Sequence, residues 1–320
     1  MNNGMKYGII TNVISIVIPA HNEEDALESL QVELVAVLSL MGKPFEVIWV
    51  DDGSTDRTYE RLSALSPVTI IRFRRQFGQT AALDAGIKRA TGEYIVTMDG
   101  DGQNDPADIP RLVEALENGS FDLIAGWRKE RKDPLMKKLS SRAAAFARRI
   151  ILRDGIHDSG CTLKIYKREC FENVDLTGEM HRFIPALLAT RGFRVGELII
   201  NHRPRTRGKT KYTWSRGIKG LLDMVAVFFW RAYANRPLHL FGGAGVGLIA
   251  LSILAGLLAA YEKLALGTDL SNNFLATLAV FGALTGLQLF VAGLLADMMA
   301  KMYAVHGKKQ SYVIRDISVR

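Results

Sequence analysis

Two cysteines in 320 residues, Cys161 and Cys170, are too few and too poorly spaced for a disulfide framework or a zinc site. A reduced, cytosolic setting is therefore the expectation. Met1 to Asn12 contains no basic stretch leading into a long apolar run, so the N-terminal part is expected to stay in the cytoplasm. Charged residues make up 23% and apolar residues 48%, which excludes a disordered chain and a plain multi-span transporter. Acidic residues are outnumbered by basic ones, 33 to 41, leaving a net charge of +8. That excess suits nucleic acid, an anionic membrane or phosphorylated substrates, and only its placement separates them.

What is present changes character along the chain. Val13–Ile18, Phe45–Val50, Val68–Phe73, Tyr94–Met98 and Phe121–Ala125 are apolar runs rich in Val and Ile, as expected of strands buried on both faces. Glu23–Met41, Asp56–Leu65, Gly78–Ala90 and Ala107–Asn118 lie between them with helical spacing. This alternation predicts an α/β fold with a mostly parallel, Rossmann-like sheet, whose ligands bind at the carboxyl ends of the strands.

The last third is different. Leu238–Tyr261 and Phe274–Ala296 carry no formal charge and are each long enough to cross a bilayer as a helix. The connector Glu262–Asn273 carries one Lys. Arg231 and Arg236 precede the first run, while Lys301, Lys308, Lys309, Arg315 and Arg320 follow the second. The positive-inside rule then places both chain ends in the cytoplasm. Residues 134–153 and 213–236 read as basic amphipathic helices suited to the headgroup layer, so the excess charge sits beside lipid phosphate rather than nucleic acid. The expected organisation is a cytoplasmic α/β domain over 1–212, an interface helix over 213–236 and two spans within 237–303, at about 238–261 and 274–298. A cytoplasmic tail over 304–320 completes it. Gly243 and Gly247 have the small-xxx-small spacing that lets helices approach closely.

The chemistry is concentrated at predicted strand ends. Asp99-Gly100-Asp101-Gly102-Gln103 follows the fourth strand, and two carboxylates one residue apart can hold a hard divalent cation such as Mg²⁺ or Mn²⁺ against a diphosphate. Asp51-Asp52-Gly53-Ser54-Thr55-Asp56 follows the second strand, where carboxylates can accept from base N–H groups or ribose hydroxyls. Ser54 or Asp56 can equally cap the next helix. Pro19-Ala20-His21-Asn22-Glu23 ends the first strand, and His21 is assigned no proton-transfer role.

Together with Phe77-Gly78-Gln79, these segments resemble the GT-A glycosyltransferases of family 2, in particular the dolichyl-phosphate mannose synthase and bacterial polyprenyl-phosphate glycosyltransferase branch. The resemblance implies a metal-dependent transfer of a hexose from a UDP- or GDP-sugar to polyprenyl or dolichyl phosphate, at the cytoplasmic membrane face. Pro19, Ala20, Glu23, Asp51, Asp52, Gln79 and Asp99 would hold the nucleotide sugar, and Asp101, Gln103 and Asp99 the Mn²⁺ or Mg²⁺. Arg128, Lys137 and Ser141 would receive the lipid phosphate, with Lys137 standing where mannose-transferring members often have Arg. Asp158, in Asp158-Ser159-Gly160-Cys161-Thr162, resembles the family's acceptor-loop aspartate. Arg205 and Lys211 belong to a cationic segment that resembles the loop closing over the donor, with Thr210 in the usual Ser place. The role of His181 is left open. Relatives and the small-residue span together point to a homo-oligomer.

A phosphate monoester has a second pKa near ~6, so the acceptor oxygen is already an anion and needs no strong general base. Inverting single displacement follows, with Asp101, Gln103 and the metal on the leaving diphosphate and Arg128, Lys137 and Arg205 positioning both phosphates. Asp158 would orient the acceptor or complete the metal shell. A processive polysaccharide synthase would carry Gln-x-x-Arg-Trp before its membrane helices, which is missing. A degenerate membrane-tethered binding protein is opposed by the intact Asp99, Asp101 and Gln103. The glycine-rich Gly242–Gly247 stretch lies inside a span rather than after a strand, which disfavours a dinucleotide oxidoreductase. The sugar and the base stay open.

Overall fold

The computed structural model describes residues 10–129, 156–178, 180–203, 237–267, 269–306 and 311–320. Both predicted amphipathic segments therefore lie outside the described residues, as do Lys137, Ser141, Arg205, Thr210 and Lys211.

The chain forms two units. The first takes in the N-terminal two thirds together with the last residues of the chain. Its strands are β1 (Ile10–Ala20), β2 (Phe45–Asp51), β3 (Thr69–Phe73), β4 (Gly92–Thr97), β5 (Leu123–Trp127), β6 (Lys164–Lys167), β7 (Val195–Ile199) and β8 (Ile314–Val319). The helices between them are α1 (Leu27–Leu40), α2 (Thr58–Leu62), α3 (Gln79–Arg89), α4 (Ile109–Asn118) and α5 (Ile184–Thr190). They build one sheet of order β7-β5-β6-β4-β1-β2-β3-β8. β6 runs antiparallel to β4 and β5, and β8 antiparallel to β3, while every other pairing is parallel.

Strand alternation splits the core into two layers. Ile14, Ile16 and Ile18 of β1 and Val47 and Trp49 of β2 pack with Leu27, Leu30, Leu34 and Leu38 of α1 and Leu112, Val113 and Leu116 of α4. Val17, Ile48 and Val50 point the other way, against Ala81, Ala82 and Ala85 of α3 and Ile184 and Leu188 of α5. The small α3 residues let that helix lie close, and a Cβ built on Gly86 would come within 2.3 Å of Val17 Cγ1. All five predicted strands and four predicted helices are found. β6, β7 and β8 are additions to that reading, being short or broken by charged residues such as Lys164, Glu197 and Asp316.

β8 corrects the expectation of a tail over 304–320. Its backbone pairs with β3 from Thr69↔Val319 to Phe73↔Ile314. Just before it, Tyr312 is buried and stacks on Phe73 at a centroid distance of 5.0 Å. Tyr59 Oη donates to Asp316 at 2.9 Å. Residues 314–319 are thus part of the main sheet.

The second unit is a pair of helices, α6 (Pro237–Leu266) and α7 (Phe274–His306), both long and apolar enough to cross a membrane. They pack along a glycine seam. A Cβ on Gly245 would lie 2.5 Å from the Gly286 carbonyl, and one on Gly293 would lie 3.0 Å from the Gly242 nitrogen. Gly243 and Gly247 take no part, since a Cβ there meets nothing within 4 Å. The small-xxx-small pair singled out in the sequence thus faces away from the hairpin seam.

One carboxylate ties β5 to its neighbours. Asp122 Oδ1 accepts from Lys167 Nζ at 2.9 Å and Oδ2 from the Arg194 backbone N–H at 2.9 Å. Burial alone would raise the Asp122 carboxyl, but these donors outweigh it and hold it down to about 2. A depressed carboxyl adds stability above the ordinary carboxylate pKa and loses it as pH falls from about 4 toward about 2. Allowing for solvent around Arg194, the contribution is on the order of 1–2 kcal/mol. Asp122→Asn should therefore lower the melting temperature at neutral pH by about 2–6 °C, and the gap to wild type should narrow below about pH 4 and close toward about pH 2. A pH series of thermal melts checks this, and a gap independent of pH would contradict it.

Candidate active site

The carboxyl ends of β1, β2 and β4 meet around a cavity of about 280 Å³. β1 supplies Pro19 and Ala20, with His21 and Glu23 just beyond it; β2 leads to Asp52, and β4 to Asp99, Gly100 and Asp101. Gln76 and Gln79, at the entrance to α3, complete the lining. The sequence-predicted Pro19, Ala20, Glu23, Asp52, Gln79, Asp99 and Asp101 are thus brought together around one space.

Asp51 is not. It is fully buried, its Oδ1 accepts from the Ser54 backbone N–H at 2.9 Å, and its Oδ2 lies 3.5 Å from Arg72 Nε. Successive residues leaving a strand point in opposite directions, so only one of the two aspartates faces the cavity. Asp51 shapes the turn in which Gly53 sits at φ 64°, where a Cβ would come within 2.4 Å of the Arg75 carbonyl carbon.

Asp52 has a double function in this geometry. Its two oxygens accept from the Phe77 and Gly78 backbone N–H groups at 2.6 and 2.9 Å, while the His21 ring Nδ1 lies 2.9 Å from its main-chain carbonyl. Burial raises its carboxyl, and the two N–H donors partly offset the shift. The pair of bonds places Gln79, the first residue of α3, whose Nε2 donates to Asp99 Oδ1 at 2.8 Å. Behind it, Thr80 Oγ1 lies 2.7 Å from Nδ1 of His181. Burial first, then Arg182 and Lys164, push His181 down to about 3. His181 is therefore a neutral buttress of α3, which fills the role the sequence left open.

Asp99 is held from the other side by Thr162, whose Oγ1 donates to Oδ2 at 2.6 Å, and its backbone N–H donates to Asn104 Oδ1 at 3.0 Å. Burial pushes the Asp99 carboxyl up and Asp101 adds to this, opposed by Thr162, Lys164 and Arg128. In the turn that follows, Gly102 takes a φ of 73°. Asp101 Oδ1 accepts from the Gln103 backbone N–H at 3.1 Å, and Oδ2 lies 2.6 Å from the Gln103 side-chain amide. The far flank of the turn is clamped by Arg203, which donates its N–H to the Gln103 carbonyl at 3.0 Å and its guanidinium to Glu33 and Asp105.

Two carboxylates and one amide oxygen are a hard donor set suited to Mg²⁺ or Mn²⁺. Among the described residues no group of three or more His, Cys, Asp or Glu could hold a metal ion. A cation at this turn would need the remaining oxygens from a ligand and water, as cations shared with a bound diphosphate do.

Past β5 lies a second cluster. Arg128 grips Asp158 with both arms, Nε to Oδ2 at 2.6 Å and Nη2 to Oδ1 at 2.9 Å. The sequence treated these as separate actors; the structure makes them one unit, joined through Nε and Nη2. Glu197 of β7 holds the same loop, accepting from the His157 backbone N–H at 2.6 Å and the Asp158 backbone N–H at 3.3 Å. The His157 ring lies 2.7 Å from Glu197 Oε2 and stacks on Trp127 at 4.3 Å. Glu197 and Gln76 carried no signal in the sequence, whereas Thr162 lay inside the segment that had singled out Asp158.

Residues 15–175 match the model of the family described as Glycosyl transferase family 2. Over 313 residues the chain is 40% identical to the dodecaprenyl-phosphate galacturonate synthase of Rhizobium johnstonii, spanning 95% of this chain and 92% of that one. It is 33% identical to the undecaprenyl-phosphate 4-deoxy-4-formamido-L-arabinose transferase of Pseudomonas aeruginosa, over 92% and 86% of the two chains. Among solved structures, glucosyl-3-phosphoglycerate synthase from Mycobacterium tuberculosis, in complex with Mn²⁺, uridine diphosphate and glucosyl-3-phosphoglycerate, superposes with a TM-score of 0.53. That likeness has 21% identity and covers 69% of this chain and 80% of the other, and it supports the GT-A fold. With its strand-end carboxylates gathered on one cavity and near full-length kinship to these transferases, the chain belongs to glycosyl transferase family 2.

Proposed function

We propose that this protein transfers a sugar, with inversion, from a nucleoside-diphosphate sugar to a polyprenyl phosphate at a membrane surface. The observation that carries the reading is the Asp99–Gln103 turn at the mouth of a cavity. It offers an incomplete oxygen shell that a diphosphate would finish. Two relatives matched over most of their length are named for transfer to dodecaprenyl or undecaprenyl phosphate, and the pair of bilayer-length helices suits such an acceptor.

The bound Mg²⁺ or Mn²⁺ would supply positive charge for the leaving diphosphate. Asp101 and Gln103 would hold it. Asp99, fixed by Gln79 and Thr162, would orient the ribose and diphosphate, and Asp52 would line the base end of the cavity. On the acceptor side, Arg128 would present Nη1 to the lipid phosphate while Asp158 fixes the guanidinium plane. Lys137, Ser141, Arg205 and Lys211 are retained as phosphate ligands on the strength of the family pattern. No side chain is required as a strong base, because the attacking oxygen is already anionic. Alignment and electrostatics would account for the rate.

Attachment to the membrane follows from α6 and α7, and topology from the sheet. β1 to β7 precede the hairpin and β8 follows it, and their pairing in one sheet supports an even number of crossings. The Lys and Arg flanks support a cytoplasmic position for that side.

Three outcomes are expected. Mn²⁺ should bind the protein alone weakly and at least about tenfold more tightly with uridine diphosphate present, and Asp101→Asn should remove the enhancement. Calorimetry or Mn²⁺ electron paramagnetic resonance reads this, and equal affinity with and without nucleotide would contradict the shared shell. Given radiolabelled UDP- and GDP-sugars with short polyprenyl phosphate, the protein should form a product that partitions into organic solvent. UDP-galacturonate heads the panel because the more similar relative is named for galacturonate. No organic-phase product from any donor would overturn the reading. Finally, Ser271→Cys in the helix connector should react with an impermeant maleimide only from the face opposite the catalytic domain.

A further inference from the structure

β6 carries a buried lysine where the function just proposed has no stated use for one. Lys164 is 2% exposed. Among the described residues its ammonium meets no carboxylate within ion-pair distance and donates to main-chain carbonyls instead, those of Cys161 and, at 3.5 Å, Ser159. An ammonium taken out of water in this way is costly, whereas methionine would fill a similar volume at little cost. Stability therefore gives no reason for it.

Its place in the sheet does. β6 is the antiparallel wedge between β4 and β5, and its first residue pairs with Thr97 on one side and Ala125 on the other. Two residues beyond Thr97 is Asp99, on the donor side, and three beyond Ala125 is Arg128, on the acceptor side. The loop that enters β6 touches both. Asp158 grips Arg128, and Thr162 donates to Asp99. The carbonyls that Lys164 binds, at Ser159 and Cys161, lie between those two contacts along the chain.

We infer that Lys164 is a positioning residue: by holding the Ser159 and Cys161 carbonyls it sets the distance between the donor-binding turn and the acceptor-binding arginine. It does not line the cavity. Its loss would leave each half able to bind while spoiling their mutual alignment, which is the signature of a lowered kcat at little changed KM. This proposal rests on the transfer reaction above. Wild-type turnover establishes that reaction first, so a normal Lys164 variant overturns only the present inference.

The test uses full-length protein in detergent or nanodiscs. Lys164→Met, Lys164→Arg and a control, Lys88→Met, are compared for melting temperature, kcat and both KM values. Lys88 bridges Asp84 and Asp175 at 2.6 Å each, away from the cavity, so its variant should lose stability without losing kcat. Lys164→Met should melt within a few degrees of wild type, lose kcat by at least about tenfold and keep both KM values within about threefold. Lys164→Arg keeps the charge but moves the donors, and should fall between the two. A Lys164→Met kcat within about twofold of wild type, per folded molecule, overturns the inference, as does a loss confined to KM. If Lys164→Met does not fold, Lys164→Arg decides in the same way: an unchanged kcat overturns the inference, and a drop of about threefold or more at unchanged melting temperature supports it.

Discussion

Carboxylates gathered at the ends of buried strands repel one another, and where water is scarce the repulsion is large. The head of this sheet is organised around that difficulty. Asp52 and Asp99 each accept from two protein donors, and these bonds form a chain from the end of β2, through Phe77, Gly78 and Gln79, to the end of β4 and on to Thr162. Each carboxylate is kept in place by groups that also fix its neighbour's surroundings. The cavity is therefore shaped before any ligand enters, and Asp101 and Gln103 stand at its edge as a pair.

The antiparallel wedge β6 extends this order to the second cluster. A purely parallel sheet would lead every loop away from the carboxyl ends by way of a helix. Reversing one strand instead brings its entering loop back to that edge, between the strands that present Asp99 and Arg128. Glu197 on β7 then fixes the outer side of the same loop through His157 and Asp158. The fold thus joins a metal-suited turn and a phosphate-suited arginine through a few hydrogen bonds rather than through a hinge between domains.

The hairpin is an insertion into this sheet as much as an appendage to it. Because β8 returns to pair with β3 and Tyr312 packs on Phe73, the two ends of the apolar pair are both tied by covalent chain to one folded body.

Much of this was legible in the residues. Five strands buried on both faces announce themselves as Val- and Ile-rich runs, and two uncharged runs of bilayer length need no partner to be recognised. The carboxylates at strand ends were legible too, because chemistry follows the topology of a parallel sheet. What sequence could not supply was pairing. β6 and β8 mix charged and apolar residues without a regular period, a pattern equally at home in a surface loop, and only their partners β4, β5 and β3 make them strands. Nor can adjacent letters show that Asp51 turns inward while Asp52 faces the cavity, that Arg128 and Asp158 are one bidentate unit, or that a lysine in a short strand is buried. Local pattern and hydropathy act along the chain, so the sequence by itself determined the class of fold, the two helices of bilayer length and the kind of chemistry. Contacts between residues far apart in the chain depend on the packed whole, and it is the tertiary structure that decided which of the candidate groups meet.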